Sequence, residues 1–251
     1  MKVISLITCS FNSEATIEKA INSAQLQSYQ HVQHVFIDGA SEDATTEIIK
    51  QKAKHSDVIL SEPDNGIYNA FNKGIDYSTG DIIGFLHSDD QFASRDVLKS
   101  IAEAFKDDSI EAVYGDLVFV KTQDCDHVLR YWKGGDFAAE KLLNGWMPPH
   151  PTLFVRRDIA ENLRFDEGLK ISADYDFILR FFLRNTPNVM YLPFVFVKMT
   201  LGGESTKSLS NVMLKMYEDY QIIKRAGLSV IRVLLLKNLR KLPQLWPRTN
   251  L

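Results

Sequence analysis

The sequence predicts an α/β fold, with a mostly parallel central sheet covered by helices on both faces and with further helices at the C-terminal end. Two observations predict this class. Short apolar, β-branched runs alternate with segments of helical periodicity through residues 1–110, which is typical of parallel strands joined by helices. Polar and acidic residues directly follow several of the apolar runs. In such sheets, ligands bind beyond the carboxyl ends of the strands.

Four strand–helix pairs are expected in the first half. A continuous apolar run at 3–8 predicts a buried strand. Asn12 or Ser13 is then expected to cap a helix, and Ser94 is expected to cap a later one. Apolar residues at helical spacing define the helices. The expected order is strand 3–8, helix 17–24, strand 34–37, a helix around 48–49, strand 57–60, helix 67–77, strand 81–86 and helix 97–105.

The second half is less regular but still mixes strands and helices. A segment at 172–184 starts polar and becomes apolar at helical spacing, which predicts a helix. Glycine and proline clusters mark loops at 134–135 and 147–151. The predicted strands are 112–120, 126–132, 152–155 and 188–197, 202–205 is predicted to be a flexible loop, and the chain after it is predicted to be helical.

The composition is that of a soluble globular protein. Of the 251 residues, 45% are hydrophobic and 24% are charged, and a single domain of this length is within the usual range. The net charge of −3 argues against a nucleic-acid partner.

Two cysteines, Cys9 and Cys125, make no disulfide framework. No leader resembling a signal peptide and no membrane-spanning apolar run is evident, so a cytoplasmic location is expected.

Adjacent acids after the fourth predicted strand suggest a cation site. Asp89 and Asp90 repel each other, and a carboxylate is costly to bury without a partner. A divalent cation with a preference for oxygen ligands, such as Mg²⁺ or Mn²⁺, would relieve both costs. Taken alone, a solvated loop is the simpler interpretation of this pair.

Four segments in fixed order make the functional interpretation more specific. Each is weak singly, but together they resemble family-2 glycosyltransferases with the GT-A fold, of the type that builds bacterial surface polysaccharides such as capsule and O-antigen. The resemblance is close over about the first 90 residues and looser to about residue 205. The segments are TCSFN at 8–12, IDGASEDAT at 37–45, DNGIYNAFNKG at 64–74 and HSDD at 87–90.

This resemblance implies a metal-dependent, inverting transferase that uses Mg²⁺ or Mn²⁺. It would move a sugar from a nucleotide-sugar, with UDP as the expected nucleotide, to a hydroxyl of a glycan or lipid-linked acceptor. Many relatives carry an acid where this chain has Ser88, so which acid binds the metal stays open. The implied roles are Thr8 and Asn12 against the nucleotide, Asp38 on the base, Asp64 and Lys73 along the nucleoside and diphosphate, Asp89 on the sugar or ribose, and Asp90 on the metal.

The catalytic base is expected at the start of the helix at 172–184. The segment ISADYDF at 171–177 resembles the acidic motif of the family, although Ala173 replaces a common Glu. Asp174 is the predicted base, because inversion needs a carboxylate opposite the leaving group, and Asp176 is the second choice. The alternative is that both acids simply favour a helix N-terminus.

Three further residues are candidates for substrate contact. His150, in HPTLFV at 150–155, resembles an acceptor-side loop residue, and Trp146 could stack on a sugar ring. Ser205, in GGES at 202–205, resembles part of a loop that closes over the diphosphate. The alternatives are a loop histidine with local bonds, a core tryptophan and an ordinary turn.

The resemblance divides the chain into a transferase domain at 1–205, with a donor half at about 1–110 and an acceptor half at about 111–205, and a basic helical appendage at 206–251. No acidic residue follows Asp219. The segment 228–242 interleaves apolar and basic residues, which is typical of a helix at a membrane surface and would suit a polyprenyl-diphosphate-linked acceptor. The alternative is packing on the body or on a second subunit. Removal of the chain after Arg225 is expected to release a membrane-bound protein.

Two other functions remain open. A sugar nucleotidyltransferase would normally carry a glycine-rich loop after the first strand, and residues 8–13 contain no glycine. A non-catalytic, transferase-like binding subunit is favoured by Ser88 and Ala173. The presence of Asp38, Lys73, Asp90 and Asp174 together favours an active enzyme.

Overall fold

The computed structural model describes residues 1–121, 124–184, 187–200 and 208–240. The strands are β1 (Ile4–Ser10), β2 (Val32–Asp38), β3 (Val58–Ser61), β4 (Ile82–Phe85), β5 (Gln91–Phe92), β6 (Ala112–Lys121), β7 (Asp124–Trp132), β8 (Phe154–Arg156) and β9 (Val189–Thr200). The helices are α1 (Ile17–Gln25), α2 (Thr45–Lys52), α3 (Ile67–Asp76), α4 (Val97–Ala104), α5 (Ala139–Leu142), α6 (Arg157–Leu163), α7 (Ala173–Leu183), α8 (Leu209–Arg225) and α9 (Val230–Leu239).

All the strands join one sheet in the order β3-β2-β1-β4-β8-β6-β9-β5, with β7 paired to β6. Strands β1 to β4 pair in parallel, as the sequence predicts. Strand β8 then runs antiparallel to both β4 and β6, while β6 and β9 are parallel. The predicted α/β class is therefore confirmed, and the second half makes the sheet mixed.

The core lies on both faces of the sheet. Because side chains alternate along a strand, Ile4 and Leu6 of β1 pack in the cluster that includes α4, while Ile7 and Cys9 pack in the cluster that includes α3 and α7. Every residue of β1 is buried, as expected of a central strand covered by helices on both sides. Cys9 is thus a packed core residue.

Several local predictions were wrong. Thr16 and Asp96 occupy the N-cap positions of α1 and α4, and neither makes a side-chain cap bond. The predicted strand at 152–155 begins instead as a 3₁₀ turn at His150–Thr152, where Pro151 favours helical backbone angles. Strand β5 is only two residues long and is held by β9, so it has no periodic pattern that could predict it.

The C-terminal helices α8 and α9 pack on the body. Ile222, Ile223 and Val233 are buried in the same cluster as α7. The loop at Gly145 lies so close to α9 that a Cβ there would stand 2.6 Å from the carbonyl oxygen of Val233. Packing on the body, one of the two alternatives for this segment, thus holds for 208–240. In the part of the chain that is described, no helix combines the length and the apolar character needed to cross a bilayer.

A buried carboxylate on α8 holds the backbone that leads into α7. Glu218 accepts hydrogen bonds from the backbone N–H groups of Lys170, Ile171 and Ser172, at 2.7, 2.9 and 2.8 Å. Hydrogen bonds to a charged acceptor are among the stronger ones in proteins. Helix α8 therefore fixes the position at which α7 begins.

We expect Glu218→Gln to lower the free energy of unfolding by about 2 to 4 kcal/mol, because an amide offers one acceptor atom to three buried donors. Urea unfolding measures the change. Glu140→Gln, which alters an exposed acid on α5, is the control and should stay within about 0.5 kcal/mol of wild type. Equal stability of the two variants would contradict the anchoring role.

Candidate active site

The candidate site lies where the first four strands end. The parallel strands β1, β2, β3 and β4 direct their carboxyl ends to the same edge of the sheet, and the motif loops follow there. On the acceptor side, α7 brings Asp174 to His150, and His150 contacts His87 in the loop after β4. Residues from both predicted halves of the chain thus meet at this edge.

Asp38, at the end of β2, is a structural centre of these loops. Its Oδ1 accepts from the hydroxyls of Ser10 (3.0 Å) and Ser41 (2.5 Å). Its Oδ2 accepts from the Ser41 backbone N–H (2.9 Å) and the Ser61 hydroxyl (2.8 Å). A carboxylate offers about four acceptor sites, so Asp38 is saturated as well as fully buried. Asp38 thus joins the ends of β1 and β3 to the loop after β2, and its predicted bond to a base stays a prediction that would require one of these bonds to be exchanged.

Thr8 and Asn12 also bond within the protein. The Thr8 hydroxyl is buried and lies 2.8 Å from Nε2 of His34, so it faces the core. Asn12 adopts φ 47°, a left-handed conformation that Asn tolerates. Its backbone N–H donates to the Ser41 hydroxyl and its Oδ1 accepts from the Glu42 N–H. Both side chains thus bond within the protein in this structure, and their contacts with the nucleotide stay a prediction.

The buried His34 predicts an acid-dependent loss of stability. Burial lowers the pKa of His34 from 6.5 to about 3. As the pH falls below 6.5, the unfolded chain takes up a proton that the folded protein does not, so stability is complete above pH 6.5 and declines towards pH 3. We expect the free energy of unfolding of His34→Gln to fall less steeply with decreasing pH than that of the wild type, by about 1.4 kcal/mol per pH unit.

Urea unfolding at several pH values between 7 and 4 checks this slope. His55→Gln is the control, because His55 is exposed and its removal should leave the slope unchanged. An identical pH dependence in wild type and His34→Gln would show that His34 does not contribute.

Phe11 and Asp64 approach Gly39 closely, which no sequence pattern indicated. A Cβ on Gly39 would stand 2.7 Å from Oδ2 of Asp64 and 3.4 Å from Cδ2 of Phe11, so only glycine permits this approach. The Phe11 ring is 64% exposed, which suits stacking of a planar ring. Asp64 accepts from the Gly66 N–H through Oδ1 (2.7 Å) and turns Oδ2 towards Gly39. The one available signal was an aromatic residue directly after a buried strand.

Lys73 closes the turn that precedes α3. Its Nζ lies 2.7 Å from a carboxylate oxygen of Glu62 and donates to the Pro63 carbonyl at 3.1 Å. The positive charge is therefore already paired in this structure, and contact with a phosphate would require Lys73 to leave Glu62.

The acids after β4 differ sharply. Asp90 is fully buried, and neither carboxylate oxygen has a hydrogen-bond partner among the described residues. Burial, together with the nearby charge of Asp89, raises the pKa of Asp90 well above its usual value, and the approach of the Thr200 backbone offsets only part of this rise. Asp89, by contrast, accepts from the Thr200 hydroxyl at 3.1 Å. Ser88, at the departure from the family motif, lies 3.1 Å from the Ser13 hydroxyl.

The environment of Asp90 fits a divalent cation. A buried carboxylate without donors is unfavourable unless a cation accompanies it. The described residues contain no cluster of three or more ligating side chains, but a magnesium-type site needs only one or two carboxylates when substrate phosphates and water supply the other oxygens. Asp90, with Asp89 beside it, would hold such an ion.

On the opposite side of the site, Asp174 is linked to the loop after β4 through two histidines. Oδ2 of Asp174 lies 3.2 Å from Nδ1 of His150, and the Nε2 atoms of His150 and His87 are 2.8 Å apart. Burial lowers the pKa of His150 to about 4, so the ring is neutral at pH 7. His150 then donates through Nδ1 to the carboxylate and accepts through Nε2 from His87.

Asp174 is ionised at neutral pH. Burial alone raises its pKa, but His150, Lys215 and the Tyr175 backbone N–H outweigh burial and bring the pKa below its usual value. Because His150 is neutral, it stabilises the carboxylate as a hydrogen-bond donor, while Lys215 supplies the positive charge. The Tyr68 hydroxyl, which donates to the Ile171 carbonyl at 2.7 Å, lies 3.5 Å from Oδ1 of Asp174. None of Tyr68, His87 and Lys215 had been singled out from the sequence.

Asp176 and Trp146 are not available for catalysis or sugar stacking. The Arg180 Nε donates to the Asp176 carboxylate at 2.7 Å, and Arg225 lies 3.6 Å from it, so Asp176 is a paired, buried acid. Trp146 is buried against Phe182, and its Nε1 donates to the Gly134 carbonyl at 2.8 Å, so it is a core residue. Ser205 lies outside the described residues.

Comparison with known families agrees with this geometry. The model described as "Glycosyl transferase family 2" matches residues 5–164. An uncharacterised glycosyltransferase of Mycobacterium tuberculosis is 30% identical over 181 residues, which are 70% of this chain and 68% of the relative. A PGL/p-HBAD biosynthesis glycosyltransferase of Mycobacterium bovis is 27% identical over 236 residues, 90% of this chain and 85% of the relative.

Solved structures share the fold at low identity. Staphylococcus aureus TarS 1–349, in complex with UDP-GlcNAc, aligns with a TM-score of 0.69 and 18% identity over 94% of this chain and 70% of that chain. The mannosyltransferase PcManGT of Pyrobaculum calidifontis, in complex with GDP-Man and Mn²⁺, aligns with a TM-score of 0.69 and 18% identity over 97% of this chain and 73% of that chain. Both are GT-A glycosyltransferase structures.

Proposed function

Since the chain belongs to glycosyl transferase family 2, we propose that it is an inverting, metal-dependent enzyme. It transfers a sugar from a nucleoside-diphosphate sugar to a hydroxyl of a glycan or lipid-linked acceptor. The observation that carries the proposal is that two acids, Asp90 and Asp174, lie near the edge of the sheet where the first four strands end. Asp90 is buried without a partner, and the ionised Asp174 is joined by His150 and His87 to the same loop.

The base of the donor nucleotide stacks on the exposed Phe11 ring, beside Gly39 and Asp64. An exposed aromatic ring can stack on any base, whereas a free carboxylate oxygen accepts from a base N–H. Both properties suit uracil, and the fold relative TarS binds UDP-GlcNAc. The relative PcManGT binds GDP-Man, so the base is the point that experiment must decide.

Asp90, with Asp89 beside it, would hold Mg²⁺ or Mn²⁺. The ion supplies positive charge that stabilises the departing nucleoside diphosphate. For Lys73 to add to that charge, its ammonium must exchange Glu62 for a phosphate oxygen. The complexes that contain Mn²⁺ among the fold relatives support a metal of this kind.

Asp174 acts as the general base. It accepts the proton of the acceptor hydroxyl as the acceptor oxygen bonds to the anomeric carbon and the bond from that carbon to the phosphate oxygen breaks. Attack from the face opposite the leaving group inverts the configuration, so an α-linked donor gives a β-linked product. His150 holds the carboxylate by its Nδ1–H and leaves Oδ1 for the incoming hydroxyl.

The acceptor belongs to the synthesis of a surface polysaccharide or glycolipid, and the enzyme acts in the cytoplasm or on the inner face of the membrane. The similarity to a PGL/p-HBAD biosynthesis glycosyltransferase supports a role in a biosynthetic pathway of this kind. Relatives often have a Glu at the position of Ala173, which is fully buried in the core here. Because that acid is missing, the alternative is a non-catalytic binding subunit, and the experiment must distinguish it from an enzyme.

A thermal-shift screen of UDP, GDP, dTDP and CDP, each with and without Mn²⁺, tests the donor assignment. A ligand that binds only the folded state raises its apparent stability, so we expect metal-dependent stabilisation by one nucleotide, foremost UDP. Slow hydrolysis of the matching nucleotide-sugar with Mn²⁺ then separates an enzyme from a binding subunit. No stabilisation by any nucleotide would contradict the donor site.

A further inference from the structure

The outward face of α8 carries a continuous apolar stripe. Six large side chains at helical spacing are exposed, although the opposite side of the same helix is buried against the body. The helix has 17 residues, which is about 25 Å at 1.5 Å per residue. We call these residues the α8 stripe: Leu209, Val212, Met213, Met216, Tyr217 and Tyr220.

Helices α8 and α9 themselves expose charged side chains of one sign only. Over 208–240, which the structure describes, the only two acidic side chains are Glu218 and Asp219, and both are buried. Glu218 bonds the backbone before α7, and Asp219 pairs with Lys237 at 2.8 Å. The exposed charged side chains in this range are all basic: Lys224, Arg225, Arg232 and Arg240. Arg225 is paired with Asp166 at 3.0 Å, and Lys224 is the one shown to lie beside the stripe, near Tyr220.

A basic and apolar surface of this kind fits an anionic lipid surface better than a second copy of the chain. In a two-fold dimer the same surface would face itself, so Lys224, whose Nζ lies 6.0 Å from the Tyr220 ring centroid, would find no exposed acid of 208–240 to pair with. Lipid phosphates offer the opposite charge, and tyrosines such as Tyr217 and Tyr220 are typical of the boundary between lipid and water.

The position of α8 connects this surface to the candidate site. Its inner side carries Glu218, which holds the start of α7, and Lys215, whose Nζ is 3.4 Å from the Ser172 hydroxyl. Asp174 follows two residues later. A surface on the outer side of α8 therefore lies one helix thickness, about 10 Å, from the segment that carries the candidate base.

We propose that the α8 stripe docks the protein onto an anionic lipid surface. The sequence alone placed such a contact in 228–242, but Val233 and Lys237 of α9 are buried in the body, which reduces the apolar face that α9 can offer. The contact is made by α8 lying along the surface, with its methionines and tyrosines among the head groups. Docking requires no donor or acceptor, so the proposal stands or fails independently of the proposed function.

Co-sedimentation of the full chain with vesicles tests the proposal. The vesicles contain phosphatidylcholine with about one third phosphatidylglycerol, at low salt. The variant Met213→Glu/Met216→Glu changes side chains that are 72% and 57% exposed, and the control Leu26→Glu/Tyr77→Glu changes side chains that are 55% and 46% exposed on other parts of the surface. Truncation is avoided because it would remove the buried Val233 and Lys237.

We expect the wild type and the control to sediment with the vesicles, and the α8 variant to bind at least about tenfold more weakly. Circular dichroism and the melting temperature should show that all three are equally folded. Equal binding of the two variants, or no binding of the wild type, would overturn the proposal. A wild-type dimer that only the α8 variant converts to monomers would also overturn it, in favour of a second copy as the occupant.

Discussion

Asp90→Asn is expected to abolish metal-dependent nucleotide binding and, at the same time, to make the ligand-free protein more stable. Both oxygens of Asp90 are buried without a donor among the described residues, and a neutral amide is less costly to bury than a carboxylate. We expect the free energy of unfolding to rise by about 1 to 3 kcal/mol. The stabilisation by nucleotide with Mn²⁺, about 2.7 kcal/mol at a hundredfold excess over Kd, should disappear.

Urea unfolding in the absence of metal and thermal shift with UDP and Mn²⁺ measure the two effects. The matched comparison is Asp89→Asn, because the Asp89 carboxylate already accepts from the Thr200 hydroxyl and should show no gain in stability. A loss of stability in Asp90→Asn, together with unchanged metal dependence, would show that Asp90 has a structural role instead.

Asp174→Asn is expected to lower sugar transfer by about 10² to 10⁴-fold while leaving nucleotide binding unchanged. The carboxylate is ionised, and its Oδ1 has only a long contact to the Tyr68 hydroxyl, at 3.5 Å, so it can take the proton of an acceptor hydroxyl. A general base typically contributes a factor of this size. The rate of transfer, or of donor hydrolysis, should be measured with the binding constant of the nucleotide in parallel.

Asp176→Asn is the internal control, since it lies two residues away on the same helix. Its carboxylate is bonded to Arg180 and lies near Arg225, so we expect a loss of about 1 to 3 kcal/mol of stability with little change in the rate of transfer per folded molecule. The reverse result, an inactive Asp176→Asn beside an active Asp174→Asn, would move the base to Asp176.

These substitutions are expected to change stability in opposite directions, because the acids differ in the hydrogen-bond donors around them. Asp38, Asp176 and Glu218 have donors within the protein, so their removal disturbs the fold. Asp90 has none among the described residues, and Asp174 keeps one oxygen with only a long contact. An acid that the fold leaves incompletely bonded is available for a ligand or a reacting proton, at the expense of stability.

The sequence by itself determined the elements whose pattern is local. Apolar positions at helical spacing predicted the buried face of α1, and Ile17, Ala20, Ile21 and Ala24 are all buried. The continuous apolar run of β1 predicted a central strand, and the strand is buried throughout. Strand–helix alternation predicted the parallel half of the sheet, because such connections strongly favour parallel neighbours. The ordered motifs placed Asp90 and Asp174 among the site candidates.

Only the tertiary structure decided which of the candidate acids are already bonded. By sequence, Asp174 and Asp176 are equivalent acids at a helix start, yet one meets His150 and the other meets Arg180 and Arg225. Asp38 fits a base-binding motif, but Ser10 and Ser61, 28 and 23 residues away along the chain, occupy its oxygens. Periodicity depends on neighbours within a few residues, whereas burial and hydrogen bonding depend on groups that only the folded chain brings together.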